Sequence, residues 1–175
     1  MNTKNLVVLA LFVGIGAVLH AVVPGFIFGM KPDMMLTMMF LGIILFPDKK
    51  NVLLIGVVTG VLSGLTTQFP GGLLPNIIDK PVTAFLFFAI FLALTKYRNS
   101  IISVAVITAV GTIISGLVFL GSAFVIVGLP GPFTILFATV VLPAMAINTA
   151  AMVILYPITT GILKRANFIQ QPVSQ

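Results

Sequence analysis

The sequence contains no cysteine and no tryptophan, and only one histidine and three acidic residues among its 175. Without cysteine, disulfides, zinc-thiolate sites and cysteine nucleophiles are excluded. A single histidine cannot build a multi-histidine metal site. The phosphate-loop pattern GxxxxGK[ST] and the zinc-protease pattern HExxH are absent, which excludes ATP hydrolysis and metalloprotease chemistry by those routes. We therefore expect no enzyme activity, no metal and no cofactor.

Charge is scarce as well. Only 7% of the residues are charged and 59% are hydrophobic, and the mean hydropathy is +1.26. A soluble domain carries about 25% charged residues, so this chain has too little polar surface to cover a water-exposed globule. The apolar segments do not alternate with polar residues as barrel strands do. The composition predicts an all-α membrane protein.

Six apolar segments, separated by proline, glycine or charged residues, predict six transmembrane helices. They cover residues 6–23, 33–46, 52–68, 81–95, 101–127 and 133–163. We interpret the first as a retained helix rather than a cleaved signal, because further spans follow it. Pro81 is expected to begin the fourth segment, and Pro143 and Pro157 predict a kink or an extramembrane end in the sixth. Residues 1–165 would form one transmembrane domain, followed by a short polar cytoplasmic tail over 166–175.

The basic residues are distributed unequally between the two sides of this arrangement. Two fall on one side, Lys31 and Lys80, and seven on the other: Lys4, Lys49, Lys50, Lys96, Arg98, Lys164 and Arg165. Short cytoplasmic loops are rich in lysine and arginine. Both termini are therefore predicted to be cytoplasmic, and the loops near residues 24–32, 69–80 and 128–132 are predicted to face outward.

Two polar clusters lie in the predicted outward loops. Lys31 and Asp33 flank Pro32, and Asp79 and Lys80 precede Pro81, with Asn76 nearby. One interpretation is two interfacial ion pairs. The other is a binding site for a zwitterion, in which a lysine holds a carboxylate and an acid holds an ammonium group. Because every acid flanks a predicted helix, the pattern weakens a proton-coupled mechanism, which usually needs an ionisable residue inside the membrane.

Other polar residues lie towards the same side. His20 is near the end of the first segment and Gln68 ends the third, next to Phe69. A histidine in this setting more often packs or bridges helices than contacts a ligand, and a buried Asn148 in the sixth segment would also more often bridge helices. Ligand contacts by His20 and Gln68 remain the functional alternative.

The first segment carries a stripe of small residues. Ala10, Gly14, Ala17 and Ala21 follow one another at intervals of four, three and four, which places them on one helical face. Small residues at such intervals let helices approach closely. The stripe predicts either packing within this bundle or docking to another membrane subunit.

The whole pattern resembles the TrpP family of tryptophan transport proteins, S components of energy-coupling factor (ECF) transporters. The resemblance covers residues 3–168. Its specific part is Met30-Lys31-Pro32-Asp33-Met34-Met35 and Asp79-Lys80-Pro81, within the longer matches Gly29–Leu36 and Asp79–Val82 with Asn76 before it. Supporting matches are Ala10-Leu11-Phe12, Leu19-His20, Ala84-Phe85-Leu86-Phe87-Phe88 and Val127-Gly128-Leu129-Pro130-Gly131.

This resemblance implies a fold and a mechanism. The fold is a six-helix S-component bundle in the cell membrane. It captures substrate from outside and associates with a transmembrane coupling subunit and two cytoplasmic ATPases. The small-residue motif AxxxA of such proteins meets the coupling subunit, and here it reads Ala10 and Gly14. Glycine departs from that motif but preserves the close approach.

For tryptophan as ligand, the resemblance implies roles for the polar residues. Lys31 or Lys80 would hold the carboxylate, and Asp33 or Asp79 the ammonium group. The indole N–H would meet His20, Asn76 or Gln68, with a phenylalanine such as Phe69 beneath the ring. Three alternatives stay open: the same fold with a vitamin or another aromatic solute, a stand-alone transporter driven by an ion gradient, and a membrane assembly protein that binds no solute.

Overall fold

A computed structural model of the chain describes residues 3–22, 33–94 and 100–168. Within these ranges the chain forms six helices and no strand. The helices are α1 (Thr3–Val22), α2 (Met34–Leu45), α3 (Lys49–Leu65), α4 (Leu73–Ala93), α5 (Ile101–Ile126) and α6 (Phe133–Arg165). The all-α prediction is confirmed, and each predicted segment overlaps one helix.

Four of the described helices, α1, α4, α5 and α6, are long and apolar enough to cross a membrane. The other two are shorter. Helix α3 has 17 residues, and α2 has 12, which span about 18 Å at 1.5 Å per residue. The chain is thus a bundle of membrane-type helices with two short members.

Helix α2 lies at the centre of the bundle, where it packs against α1, α3, α4 and α6. It carries no charged residue, and ten of its 12 residues are buried. Phe40 of α2 stacks on Phe87 of α4, with ring centroids 4.0 Å apart and planes 6° from parallel. A helix that is apolar all round is suited to this enclosed position.

Glycines bring α3 against α4. Gly56, Gly60 and Gly64 recur every four residues, and a methyl group added at Gly60 would lie 3.0 Å from the carbonyl oxygen of Asn76. This spacing puts the three glycines on one face of α3, and their lack of side chains allows the two backbones to approach closely. The α3 glycines therefore fix where α4 lies.

A π-helical turn interrupts α6 over Phe137–Val141 and ends two residues before Pro143. Proline lacks an N–H group, and its ring clashes with the carbonyl group four residues earlier. A local π turn is one way in which a helix accommodates such a break. The predicted kink or extramembrane end of the sixth segment stays a prediction, and the helix continues through both prolines to Arg165.

The prediction that the fourth helix begins at Pro81 was wrong. Helix α4 begins at Leu73 and contains Pro81 in its interior. Asn76, Asp79 and Lys80 therefore lie in a helix rather than in an outward loop. Buried membrane helices tolerate internal proline because neighbouring groups satisfy the freed backbone. The expectation that every acid flanks a helix fails with it, because Asp79 is inside α4 and has no exposed surface.

Candidate functional site

One cleft gathers most of the predicted polar residues. Residues of the turn before α4 line it, and this turn meets the end of α5, since a methyl group added at Gly71 would collide with Val127. The cleft, here called the polar cleft, is lined by His20, Asp33, Leu36, Thr67, Gln68, Phe69, Asn76, Lys80, Thr112, Ser115, Gly116, Phe119, Leu120, Val140, Val141, Ala144 and Asn148. Helices α1, α2, α4, α5 and α6 all contribute to it.

Lys80 is the centre of a buried charge cluster in this cleft. Its Nζ lies 2.6 Å from Asp33 Oδ2 and 2.6 Å from Asp79 Oδ2. The same Nζ also donates to Ser115 Oγ at 3.4 Å. An ammonium group has three N–H donors, so these three partners account for all of them. The cluster joins the two sequence motifs that contain Asp33 and Asp79.

Asp79 supports Lys80 from beneath the cleft. Its Oδ1 accepts a hydrogen bond from Thr83 Oγ1 at 2.7 Å, and its Oδ2 accepts one from Ser115 Oγ at 2.7 Å. Asp79 is fully buried and is not part of the cleft surface. A buried carboxylate needs such partners, because desolvation of an unpaired charge is costly. The arrangement makes Asp79 a positioning residue for Lys80.

Asp33 serves both the cluster and the start of α2. Its Oδ1 accepts a hydrogen bond from the Leu36 backbone N–H at 3.0 Å, as an N-cap residue does. His20 Nδ1 lies 3.7 Å from the same Oδ1 atom. The Asp33 side chain keeps 18% of its surface exposed, compared with 3% for Lys80. Asp33 is therefore the more accessible carboxylate of the cluster.

Aromatic and apolar side chains form the other wall of the cleft. Phe69 and Phe119 meet edge to face, with ring centroids 5.3 Å apart. Gln68 is exposed beside Phe69. The Asn76 amide donates to the Gly72 carbonyl oxygen at 2.8 Å, so its NH₂ group serves the first turn of α4. The cleft thus offers a charged end and an apolar, aromatic surface.

The structure brings together seven of the eight predicted substrate residues, six of them on the cleft surface and Asp79 beneath it. Lys31 lies outside the described residues. The prediction missed the contribution of α5, whose Thr112 and Ser115 line the cleft. A signal existed, because Thr108, Thr112 and Ser115 are polar residues on one face of a largely apolar helix.

The small-residue stripe of α1 lies mostly on the surface of the described bundle. Ala10 and Gly14 are exposed, and a methyl group added at Gly14 would meet no atom within 4 Å. With Val7, Leu11, Ile15, Val18 and Leu19 they line a shallow apolar groove. Gly16, which is outside the stripe, packs against Met35 and Met38 of α2. Ala10 and Gly14 therefore do not serve packing among the described helices.

Comparison with known proteins identifies the family. A sequence model described as "Tryptophan transporter TrpP" matches residues 2–164. The chain belongs to the TrpP family. It is 60% identical over 170 residues to a "Probable tryptophan transport protein" of Bacillus subtilis strain 168, covering 97% of this chain and 98% of the relative.

Two clostridial relatives carry the same name, "Probable tryptophan transport protein". The protein of Clostridium acetobutylicum is 49% identical over 159 residues, which cover 89% of this chain and 91% of the relative. That of Clostridium perfringens strain 13 is 41% identical over 178 residues, with 96% and 97% covered. No solved structure matches this chain. The family relationship indicates a membrane transport protein and agrees with the membrane-type helices.

Proposed function

We propose that this TrpP-family chain binds L-tryptophan in the polar cleft and acts as the substrate-binding S component of an ECF importer in the cell membrane. The binding proposal rests on one observation: the buried Asp33–Lys80–Asp79 cluster and an aromatic wall belong to the same cleft. Tryptophan combines a charged amino-acid head with a large apolar ring, and the two ends of the cleft match these two parts.

The geometry supports one choice among the candidate head-group contacts. Asp33 is the carboxylate that reaches the cleft surface, so it is the proposed partner of the substrate ammonium group. Lys80 can turn one of its N–H donors towards the substrate carboxylate if the ammonium group replaces it at Asp33. Lys31 is a second candidate for the carboxylate. Phe69 and Phe119 are the proposed contacts of the indole ring.

The proposed topology has six crossings with both termini in the cytoplasm. The distribution of basic residues supports it, and the discovery that Lys80 is buried in α4 leaves Lys31 as the only lysine or arginine in the predicted outward loops. The short helix α2 is compatible with a crossing because other helices enclose it. It therefore does not need to match the thickness of the lipid by itself.

Energy coupling is assigned to partner subunits. The chain has no phosphate-loop motif, so ATP hydrolysis would come from two cytoplasmic ATPases. The exposed face at Ala10 and Gly14 is the proposed contact with the transmembrane coupling subunit, because small residues allow a second helix to approach closely.

One observation favours a second mechanism. Asp79 is a fully buried acid inside a helix of membrane-spanning length, and such residues often belong to ion-coupled transport. A stand-alone transporter driven by an ion gradient is therefore the second candidate. An S component for a vitamin or another aromatic solute would share the fold and differ in the ligand.

Binding can be measured through the ligand itself. The chain has no tryptophan and two tyrosines, so selective indole excitation of the purified protein in detergent reports L-tryptophan. We expect a saturable blue shift or change in intensity as the indole enters an apolar site, and loss of that response in Asp33→Asn. A flat titration with folded wild-type protein would contradict tryptophan binding by this subunit, and vitamins and other amino acids would then be screened.

A further inference from the structure

Asn148 of α6 is a buried amide with unmet hydrogen-bonding capacity. It has no exposed surface, and neither its Oδ1 nor its Nδ2 has a partner within residues 3–22, 33–94 and 100–168. Burial of an unbonded amide costs free energy. Asn148 also lines the polar cleft. The sequence pattern favoured an Asn148 that bridges helices. Its amide instead makes no hydrogen bond to another described helix and is available to a molecule in the cleft.

The position of Asn148 differs from that of the charge cluster. Asn148 lines the cleft from α6, whereas Asp33 lines it from the start of α2 and Lys80 from α4. The Asn148 amide makes no hydrogen bond to either charged residue.

The surroundings of Asn148 are apolar on its own helix. The other cleft-lining residues of α6 are Val140, Val141 and Ala144. The π turn ends at Val141, and the Val141 side chain packs against Gly116 of α5. Across the cleft, the Thr112 hydroxyl already donates to the Thr108 carbonyl oxygen at 2.9 Å. The Asn148 amide is therefore a polar group in the wall that would contact the apolar body of a ligand.

We propose that Asn148 is the residue that recognises the indole N–H, by accepting its hydrogen bond at Oδ1. The inference rests on the proposed function. With the amino-acid head at Asp33 and Lys80, the part of tryptophan that reaches the α6 wall is the ring, and its one polar group is the N–H. A site built around such a bond rejects ligands that lack the donor, because the buried amide then stays unpaired. Asn148 thus selects tryptophan over phenylalanine.

The test compares two ligands in two proteins. L-Tryptophan is titrated directly, and 3-(3-benzothienyl)-L-alanine, in which sulfur replaces the indole N–H, is measured by calorimetry. We expect wild-type protein to bind tryptophan at least about tenfold more tightly than the sulfur analogue. In Asn148→Leu this ratio should fall to about one, through weaker tryptophan binding and unchanged or tighter binding of the analogue.

A neighbouring residue provides the control. Thr149 follows Asn148 on α6, and its buried hydroxyl also has no partner within the described ranges, but it does not line the cleft. Thr149→Val should keep the wild-type ratio. If Asn148→Leu does not fold, Asn148→Ala provides the same comparison.

The outcomes separate this inference from the function on which it rests. A wild-type ratio near one, or a ratio that survives the Asn148 substitutions, overturns the role of Asn148 while tryptophan binding stands. Absence of tryptophan binding by folded wild-type protein overturns the proposed function itself.

Discussion

At the scale of single residues, the charge balance around Lys80 is the central feature of the molecule. One ammonium group lies between two carboxylates, and all three groups are largely removed from solvent. A buried ion pair adds little to stability compared with an apolar replacement, but removal of one partner leaves an uncompensated charge. The cluster therefore defines a geometry, and its integrity depends on Lys80.

Lys80→Met should lower the free energy of unfolding by about 3–5 kcal/mol, because Asp33 and Asp79 would face each other without a cation. Unfolding of the purified protein in detergent measures the change. Adding Asp33→Asn and Asp79→Asn to the same chain should recover most of the loss, since asparagine is also a good N-cap.

The matched control for this prediction is Lys50→Met. Lys50 lies in the first turn of α3 and is exposed. Its replacement should change stability by less than about 0.5 kcal/mol. Equal stability of Lys80→Met and Lys50→Met would contradict the structural role of the cluster.

The sequence identified the residue types of this site but not their pairing. Asp33, Lys80, His20 and Asn76 were found because polar groups are rare in so apolar a chain. Lys80 reaches Asp33 as well as its chain neighbour Asp79 only because α2 and α4 come together in the bundle, and linear spacing contains no information about the contact with Asp33.

At the scale of elements, the approach of α3 to α4 determines where Lys80 lies. A methyl group at Gly60 would be 3.3 Å from Ile77 Cα and 3.4 Å from Lys80 Cβ. The Asn76 carbonyl oxygen is closer still, at 3.0 Å. This oxygen and Ile77 Cα are backbone atoms of α4, so they cannot rotate away as a side-chain tip can. Contact between the two helices thus leaves little room for any side chain at this position.

Gly60→Ala should therefore destabilise the protein by about 1–3 kcal/mol, as overpacking does, and should weaken tryptophan binding because α4 shifts with Lys80. Unfolding and the indole titration measure both effects. Gly121→Ala in α5 is the control, since a methyl group there meets no atom within 4 Å. Identical behaviour of the two variants would contradict the close approach.

At this same scale, the local rule for proline predicted the wrong start for the fourth helix. Proline is over-represented at the first position of a helix, yet α4 runs from Leu73 through Pro81. The polar face of Asn76, Asp79, Lys80 and Thr83 recurs at helical intervals and points into the bundle. Contacts from Asp33 and Ser115 satisfy Lys80 and Asp79, and this outweighs the cost of one missing backbone hydrogen bond.

At the scale of the whole molecule, the exposed face of α1 is the proposed contact between this chain and a coupling subunit. Ala10 and Gly14 are not needed for packing among the described residues. A lipid-facing helix can carry larger side chains, so small residues on this face are consistent with a second helix that approaches it.

Gly14→Leu should leave folding and tryptophan binding unchanged but abolish ATP-dependent uptake in vesicles that also contain the coupling subunit and two ATPases. The leucine has room in the isolated chain, and it would hold a docking helix away. Gly161→Leu is the control, because Gly161 also has open space around it; uptake should persist. Uptake by this chain alone that stops when the ion gradient is collapsed would instead support the stand-alone transporter.

The sequence by itself determined the class of the protein and the supply of polar groups. Hydropathy decides which segments prefer lipid, and that preference is a sum over residues that needs no knowledge of their neighbours. The tertiary structure decided the rest: that Lys80 joins Asp33 to Asp79, that Asn148 lines the cleft, and that Gly14 lies on the surface of the bundle. Each of these depends on which helices pack together and at what rotation, and the enclosed α2 and the α3 glycines set that packing through contacts between residues distant in sequence.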